Sequence, residues 1–109
     1  MERVVAEAIA SVMREYFDED AEIKEDYSGR FMYGETTTAI ITRDPYMVYT
    51  ALGLIFGFFL NNKLDELKLD GFDEEKLEEL REEIDYLLYD TESGDWFRVD
   101  NFGLEFVVY

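Results

Sequence analysis

The chain has 109 residues, 48% hydrophobic and 17% aromatic, and its 27 acidic and 10 basic side chains give a formal charge of −17. That length and apolar content fit a single domain with one core and argue against a disordered chain. A field of that sign repels nucleic acid and anionic membrane, which places direct DNA or RNA binding last among the function classes and favours a basic protein surface as partner.

There is no Cys and no His. Thiol nucleophiles, disulfides and Cys/His zinc sites are therefore absent, along with the commonest general base near neutral pH. The segment Met1-Glu2-Arg3-Val4-Val5-Ala6-Glu7 lacks the basic start and apolar run of a signal peptide. The expectation is a cytoplasmic protein, in the host cytoplasm if it is phage-encoded.

In chain order, Val5, Ile9, Val12, Met13, Tyr16 and Phe17 recur at three- and four-residue spacing, which predicts a helix over 3–17. After the acidic cluster Asp18-Glu19-Asp20, residues Ala21, Ile23, Glu25 and Tyr27 alternate with Glu22, Lys24 and Asp26, as in a strand with one wet face. Ser28-Gly29-Arg30 reads as a turn, Gly34 as a second break, and the β-branched run Thr36 to Arg43 as a second strand pairing with the first around a long tip.

Asp44-Pro45 is an N-cap followed by proline at the first helical position, so a helix is expected from Pro45 to about Asn61. A continuation through Leu64 and Leu67 to Gly71 stays open. The fifteen residues from Tyr46 to Leu60 carry no charge. A spanning helix needs roughly 20 apolar residues, so a buried core helix is expected here. Thr50, Gly53 and Gly57 share one face that admits a close backbone. Packing against the sheet of the same molecule is the expectation, and a homodimer face the alternative.

Asp73 is the expected cap of a third helix through Tyr89, with Leu77, Leu80, Ile84, Leu87 and Leu88 as its apolar stripe. Trp96 to Val99 and Leu104 to Tyr109 read as a hairpin around Asp100-Asn101-Phe102-Gly103. The order α-β-β-α-α-β-β predicts an α+β fold, a small antiparallel sheet of about four strands packed against three helices.

The charge is uneven. Residues 1–60 hold 11 acids and five bases, and residues 61–109 hold 16 acids and five bases. On the third helix, Glu75, Glu78, Glu79, Glu82 and Glu83 lie opposite the leucine stripe with Tyr86 at their centre. Like charges at this spacing destabilise a helix by a few tenths of a kcal/mol per pair. One explanation is solubility. The other is mimicry: carboxylates one turn apart are roughly 5–6 Å from each other, comparable with phosphates along a strand, and such a row fits a groove built for nucleic acid.

No catalytic constellation stands out. No carboxylate pair is marked for glycoside-type acid–base work. Loops counted from Asp18 or Asp90 place Ile23 or Asp95 at the sixth position and Gly29 or Asn101 at the twelfth, unlike the Gly and Glu of a calcium loop. The expectation is a binding protein with no catalytic residues, cofactor or metal.

The tract Glu25-Asp26-Tyr27-Ser28-Gly29-Arg30-Phe31-Met32-Tyr33-Gly34, ten of 109 residues, resembles a Tyr-Ser-Gly-Arg-Gly-Met-Tyr-Gly motif of small phage and prophage proteins, with Phe31 in place of the motif's second Gly. The resemblance implies a phage setting, where small acidic Cys-poor proteins include anti-CRISPR and anti-restriction inhibitors, some of them nucleic-acid mimics. Read on its own, the tract is a hairpin tip capped by core aromatics; if exposed, Arg30 and Tyr33 have the composition of a binding hot spot. The leading expectation is thus a non-catalytic inhibitor docking on a basic nucleic-acid-binding surface of a host defence complex. An immunity protein or antitoxin neutralising a basic toxin is the alternative, and a phage structural or assembly protein oligomerising through Gly53 and Gly57 a second one.

Overall fold

A computed structural model describes residues 1–29, 34–89 and 97–109. Three helices accompany a four-stranded antiparallel sheet of order β1-β2-β4-β3; the first two pack on the sheet and the third packs on those two. Along the chain these are α1 (Arg3–Phe17), β1 (Glu22–Tyr27), β2 (Thr37–Thr42), α2 (Pro45–Leu60), α3 (Glu74–Tyr89), β3 (Val99–Phe102) and β4 (Glu105–Val108). The α+β class and the element order are those the sequence predicts.

Of the three-four stripe of α1, Phe17 is half-buried and Tyr16 exposed, whereas Val5, Ile9, Val12 and Met13 are buried between the sheet and the other two helices. They meet Val48, Leu52 and Ile55 of α2, Leu80 and Ile84 of α3, and Ile40 and Val108 of the central strands. Burying each such side chain contributes roughly 1.5–3 kcal/mol. α2 starts where Asp44 Oδ1 accepts from the Met47 amide at 3.3 Å, and α3 where Asp73 Oδ1 accepts from the Lys76 amide at 2.8 Å.

The open continuation of α2 resolves to a stop. Asn61 caps the helix, Asn62 takes the left-handed region at φ +58, and a separate 3₁₀ turn at Leu64–Glu66 follows. Leu64 and Leu67 are buried there without a helix. The connection to α3 is tied to α1: Ser11 Oγ, itself buried, accepts from the Asp70 amide at 2.9 Å, and the Tyr16 hydroxyl accepts from the Lys68 amide at 3.0 Å. No helix among the described residues is long and apolar enough to cross a membrane.

Three expectations need correction. The alternation of β1 breaks before its end, because Lys24 pairs with Ala39 but Tyr27 with Thr37, so Glu25 and Asp26 together face one residue. Asp26 sits at φ +55 in this bulge. A bulge shifts the side-chain phase by one, and Tyr27 therefore leaves the helix-facing side of Ile23 for the opposite face. There it packs with Ala39, Val107 and Tyr109. The second correction is the last hairpin. Its loop is Gly103-Leu104, with Phe102 paired to Glu105 and Gly103 at φ +78, the first central position where a two-residue hairpin loop takes glycine. Asp100 and Asn101, read as turn residues, lie within β3, and Trp96 lies outside the described residues.

The third correction concerns Gly53 and Gly57. Their face does not pack on the sheet. Gly53 is exposed, Gly57 half-buried, and beyond the adjoining backbone of α2 itself and the chain neighbours no atom of a described residue lies within 4 Å of a Cβ built on either. α2 instead turns Val48, Ala51, Leu52, Ile55 and Phe56 inward.

Candidate protein-binding surface

α3 is amphipathic in a simple way. Leu77, Leu80 and Ile84 are buried, whereas Glu75, Glu78, Glu79 and Glu82 are exposed on the far side. The two bases of this helix do little to neutralise that side. Lys76 leans toward α1, where it pairs with Glu7 and lies 4.7 Å over the Phe72 ring. Arg81 Nη1 meets Glu78 Oε2 at 3.0 Å on its own helix. Among the described residues Glu75, Glu79, Glu82 and Asp85 form no ion pair.

Unpaired, exposed carboxylates matter because a partner's Lys or Arg gains an interaction without first breaking one. The field is reinforced at the end of the helix. The last turn of α3 holds no basic residue, so the negative end of the helix dipole adds to the acidic side chains. Along roughly 21 Å of helix from position 75 to 89, the stripe ends in two tyrosines, Tyr86 at 56% and Tyr89 at 67% exposure. Tyr86 was expected at the centre of the face. Tyr89 escaped the sequence reading, although its position three residues beyond Tyr86 puts it on the same stripe.

Glu83 does not lie fully on this face. It is half-buried toward α1. Burial first, then the charges of Glu2, Glu79 and Glu82, push its carboxyl above the usual range. Glu2 comes from the start of α1 and joins the acidic surface only through the fold. A cleft of about 250 Å³ opens there, lined by Glu2, Val5, Glu83, Tyr86, Leu87 and Phe97. A second cleft of about 310 Å³ separates α3 from α1 and is lined by Arg3, Glu7, Asp73, Glu75, Lys76 and Glu79.

Glu7 in the second cleft behaves oppositely to Glu83. Burial pushes its carboxyl up, but hydrogen bonds and charge from Lys76 and Arg3 outweigh this and hold it below the usual carboxylate range. The α1–α3 junction is therefore clamped by a satisfied acid, and the outer face of α3 carries unsatisfied ones.

The tip between β1 and β2 is described only at its base. Arg30 and Tyr33 fall outside the described residues. Tyr27 is buried, its hydroxyl donates to Asp100 Oδ2 at 2.5 Å, and its ring meets Tyr109 edge-on at 5.0 Å. Gly29, at φ +43, lies against both rings. The base of the tip is thus capped by aromatics, while the acidic stripe of α3 is a separate element.

Asp18, Glu19, Asp20, Glu22 and Glu105 line a wide concavity at the end of the sheet together with Arg43. Among the described residues no three acidic side chains converge at a spacing suited to a metal ion. Compared with known proteins, the chain matches no protein family, no curated protein and no solved structure.

Proposed function

We propose that this chain is a non-catalytic inhibitor that sets the acidic face of α3 into a basic, nucleic-acid-binding surface of another protein and so competes with phosphate there. One observation carries the reading: Glu75, Glu79 and Glu82 are exposed and without ion pairs among the described residues, on a stripe that also bears Tyr86 and Tyr89. Carboxylates in a row attract Lys and Arg at long range and speed association. The two tyrosines supply the aromatic contact area that charge alone lacks, the residue type enriched at interface hot spots. At the Glu83 end, the cleft with Glu2 and Glu83 at its mouth accepts a long cationic side chain whose charge relieves the repulsion between these acids.

The setting is the one implied by the Tyr27–Gly34 tract, a phage-type antidefence protein whose target is a host nucleic-acid-guided or nucleic-acid-cleaving complex. The test is capture of a target from bacterial lysate on the tagged protein, eluted stepwise with NaCl. The expected target elutes by moderate salt, because screening shortens the reach of exposed charges to about 8 Å at 0.15 M, and DNA or RNA displaces it. Changing Glu75, Glu78, Glu79 and Glu82 together to Gln abolishes capture. A target retained by that variant, or indifferent to nucleic acid, would overturn the reading.

A further inference from the structure

We propose that the cleft between the start of α1 and the end of α3 is an arginine site, taking the guanidinium and aliphatic stem of one Arg side chain of a basic partner. The inference rests on the inhibitor reading for the source of that arginine, and on the cleft alone for the site.

The cleft, about 250 Å³, has walls of two characters. Val5, 2% exposed, and the half-buried Leu87 give it an apolar inner side. Phe97 is also buried, and its ring lies 6.0 Å from that of Tyr49, which holds this wall in place. Toward the opening stand Tyr86, half-buried Glu83 and exposed Glu2. The fold brings the two carboxylates together from opposite ends of the chain, at a cost in repulsion that no local pattern requires.

Nothing in the chain's own charge offsets that repulsion fully. Among the described residues Glu2 and Glu83 form no ion pair. The nearby bases are committed elsewhere: Arg3 to Glu7 and Glu25, and Lys76 to Glu7. The Met1 ammonium lines the same cleft but donates to Thr37 Oγ1 at 2.7 Å and to the Thr38 carbonyl at 3.2 Å. Two carboxylates against one ammonium leave the mouth negative, and Glu79 and Glu82 add to the charge felt by Glu83.

The walls select arginine among cations. A lysine ammonium is compact and strongly hydrated, so it loses water at high cost beside Val5, Leu87 and Phe97. A guanidinium is weakly hydrated and planar. Its donors fan out widely enough to serve carboxylates on two different elements, and its face stacks on an aromatic ring such as Tyr86 or Phe97. The three-carbon stem suits the apolar inner side. A neutral side chain of the same shape leaves the acids unrelieved.

NMR titration of the isotope-labelled full chain near physiological salt, where screening limits distant acids to a reach of about 8 Å, tests this with three capped amino acids. These are the N-acetyl methylamides of arginine, of its uncharged isostere citrulline, and of lysine. The expected result is saturable shifts confined to the amides of Val5, Thr37, Glu83, Tyr86 and Leu87, with a Kd for arginine on the order of 1 mM. Citrulline binds about tenfold more weakly, and lysine about threefold. Glu2→Gln and Glu83→Gln each weaken arginine about threefold. Asp20→Asn removes the same charge at an exposed position outside the cleft and leaves binding unchanged. Absent shifts, or citrulline or lysine binding as well as arginine, would overturn the proposal. So would an equal loss in Asp20→Asn, which marks diffuse attraction to the acidic chain. Free arginine binding far more tightly than the capped form would reassign the cleft to a small metabolite. The titration contains no target, so failed lysate capture beside an occupied cleft overturns the inhibitor reading alone, and working capture beside an empty cleft overturns this inference alone.

Discussion

Replacing Gly29 by Ala is expected to be among the most damaging single-methyl additions in this protein. Two effects combine. Gly29 sits at φ +43, a region that costs an L-residue roughly 1–2 kcal/mol. The added Cβ would also fall 3.0 Å from Tyr27 Cζ, closer still to Tyr27 Cε2, and 3.2 Å from Tyr109 Cζ. Neither ring is free to yield. Tyr27 is buried with its hydroxyl donating to Asp100 Oδ2 at 2.5 Å, and the Tyr109 hydroxyl donates to Asp100 Oδ1 at 3.4 Å. Overpacking of this kind costs about 1–3 kcal/mol. The sum is about 3 kcal/mol, or about 12 °C in Tm at the per-residue unfolding entropy usual for a domain of this size. Gly103→Ala is the control: at φ +78 it has the backbone penalty, but apart from its chain neighbours no described residue lies within 4 Å of the new Cβ. It should lose about 1–2 kcal/mol, or about 4–8 °C. Urea unfolding followed by tryptophan fluorescence and far-UV circular dichroism reads both. If Gly29→Ala falls by no more than Gly103→Ala, the Tyr27–Asp100–Tyr109 group does not hold its rings in place and the reasoning fails.

The same group gives a second expectation, since Tyr27→Phe removes a buried donor to a carboxylate and should cost about 1.5–3 kcal/mol in urea unfolding. Glu83→Gln is expected to stabilise. The folded state holds the Glu83 proton more tightly than the unfolded chain, so ionisation costs stability as pH rises from about 4.5 through the raised value. The gain, about 0.5 kcal/mol, should appear in thermal melts at pH 7 and vanish below pH 4.5. Lys76→Met acts in the other sense. The depressed Glu7 carboxyl contributes stability above pH 4.5 that is lost as pH falls through its lowered value. The variant should therefore lose about 1 kcal/mol at pH 7 and converge with the parent in strong acid. The quadruple Glu→Gln change on α3 removes like-charge pairs at three- and four-residue spacing and should raise stability by about 1–2 kcal/mol while abolishing target capture. A variant that melts lower yet still captures the target would contradict the assignment of that face.

The sequence by itself determined what depends on near neighbours along the chain. The extents of α1 and α3 follow from one apolar stripe repeating over four turns, and the caps Asp44 and Asp73 from a side chain reaching an amide three residues on. The acidic stripe of α3 was legible for the same reason, since residues at helical spacing share a face wherever the helix is placed. Tertiary structure decided the rest. Whether Gly53 and Gly57 point at the sheet depends on which side of an almost wholly apolar helix turns inward, and α2 has no charged residue to mark its outer side. The bulge at Glu25-Asp26 depends on Tyr27 finding Tyr109 and Asp100, 82 and 73 positions away. Asp100 and Asn101 have turn propensity, but the strand pairing and the buried hydrogen bonds to Asp100 override it. Glu2 reaches the acidic surface because α1 packs on α3, a proximity that no local pattern encodes.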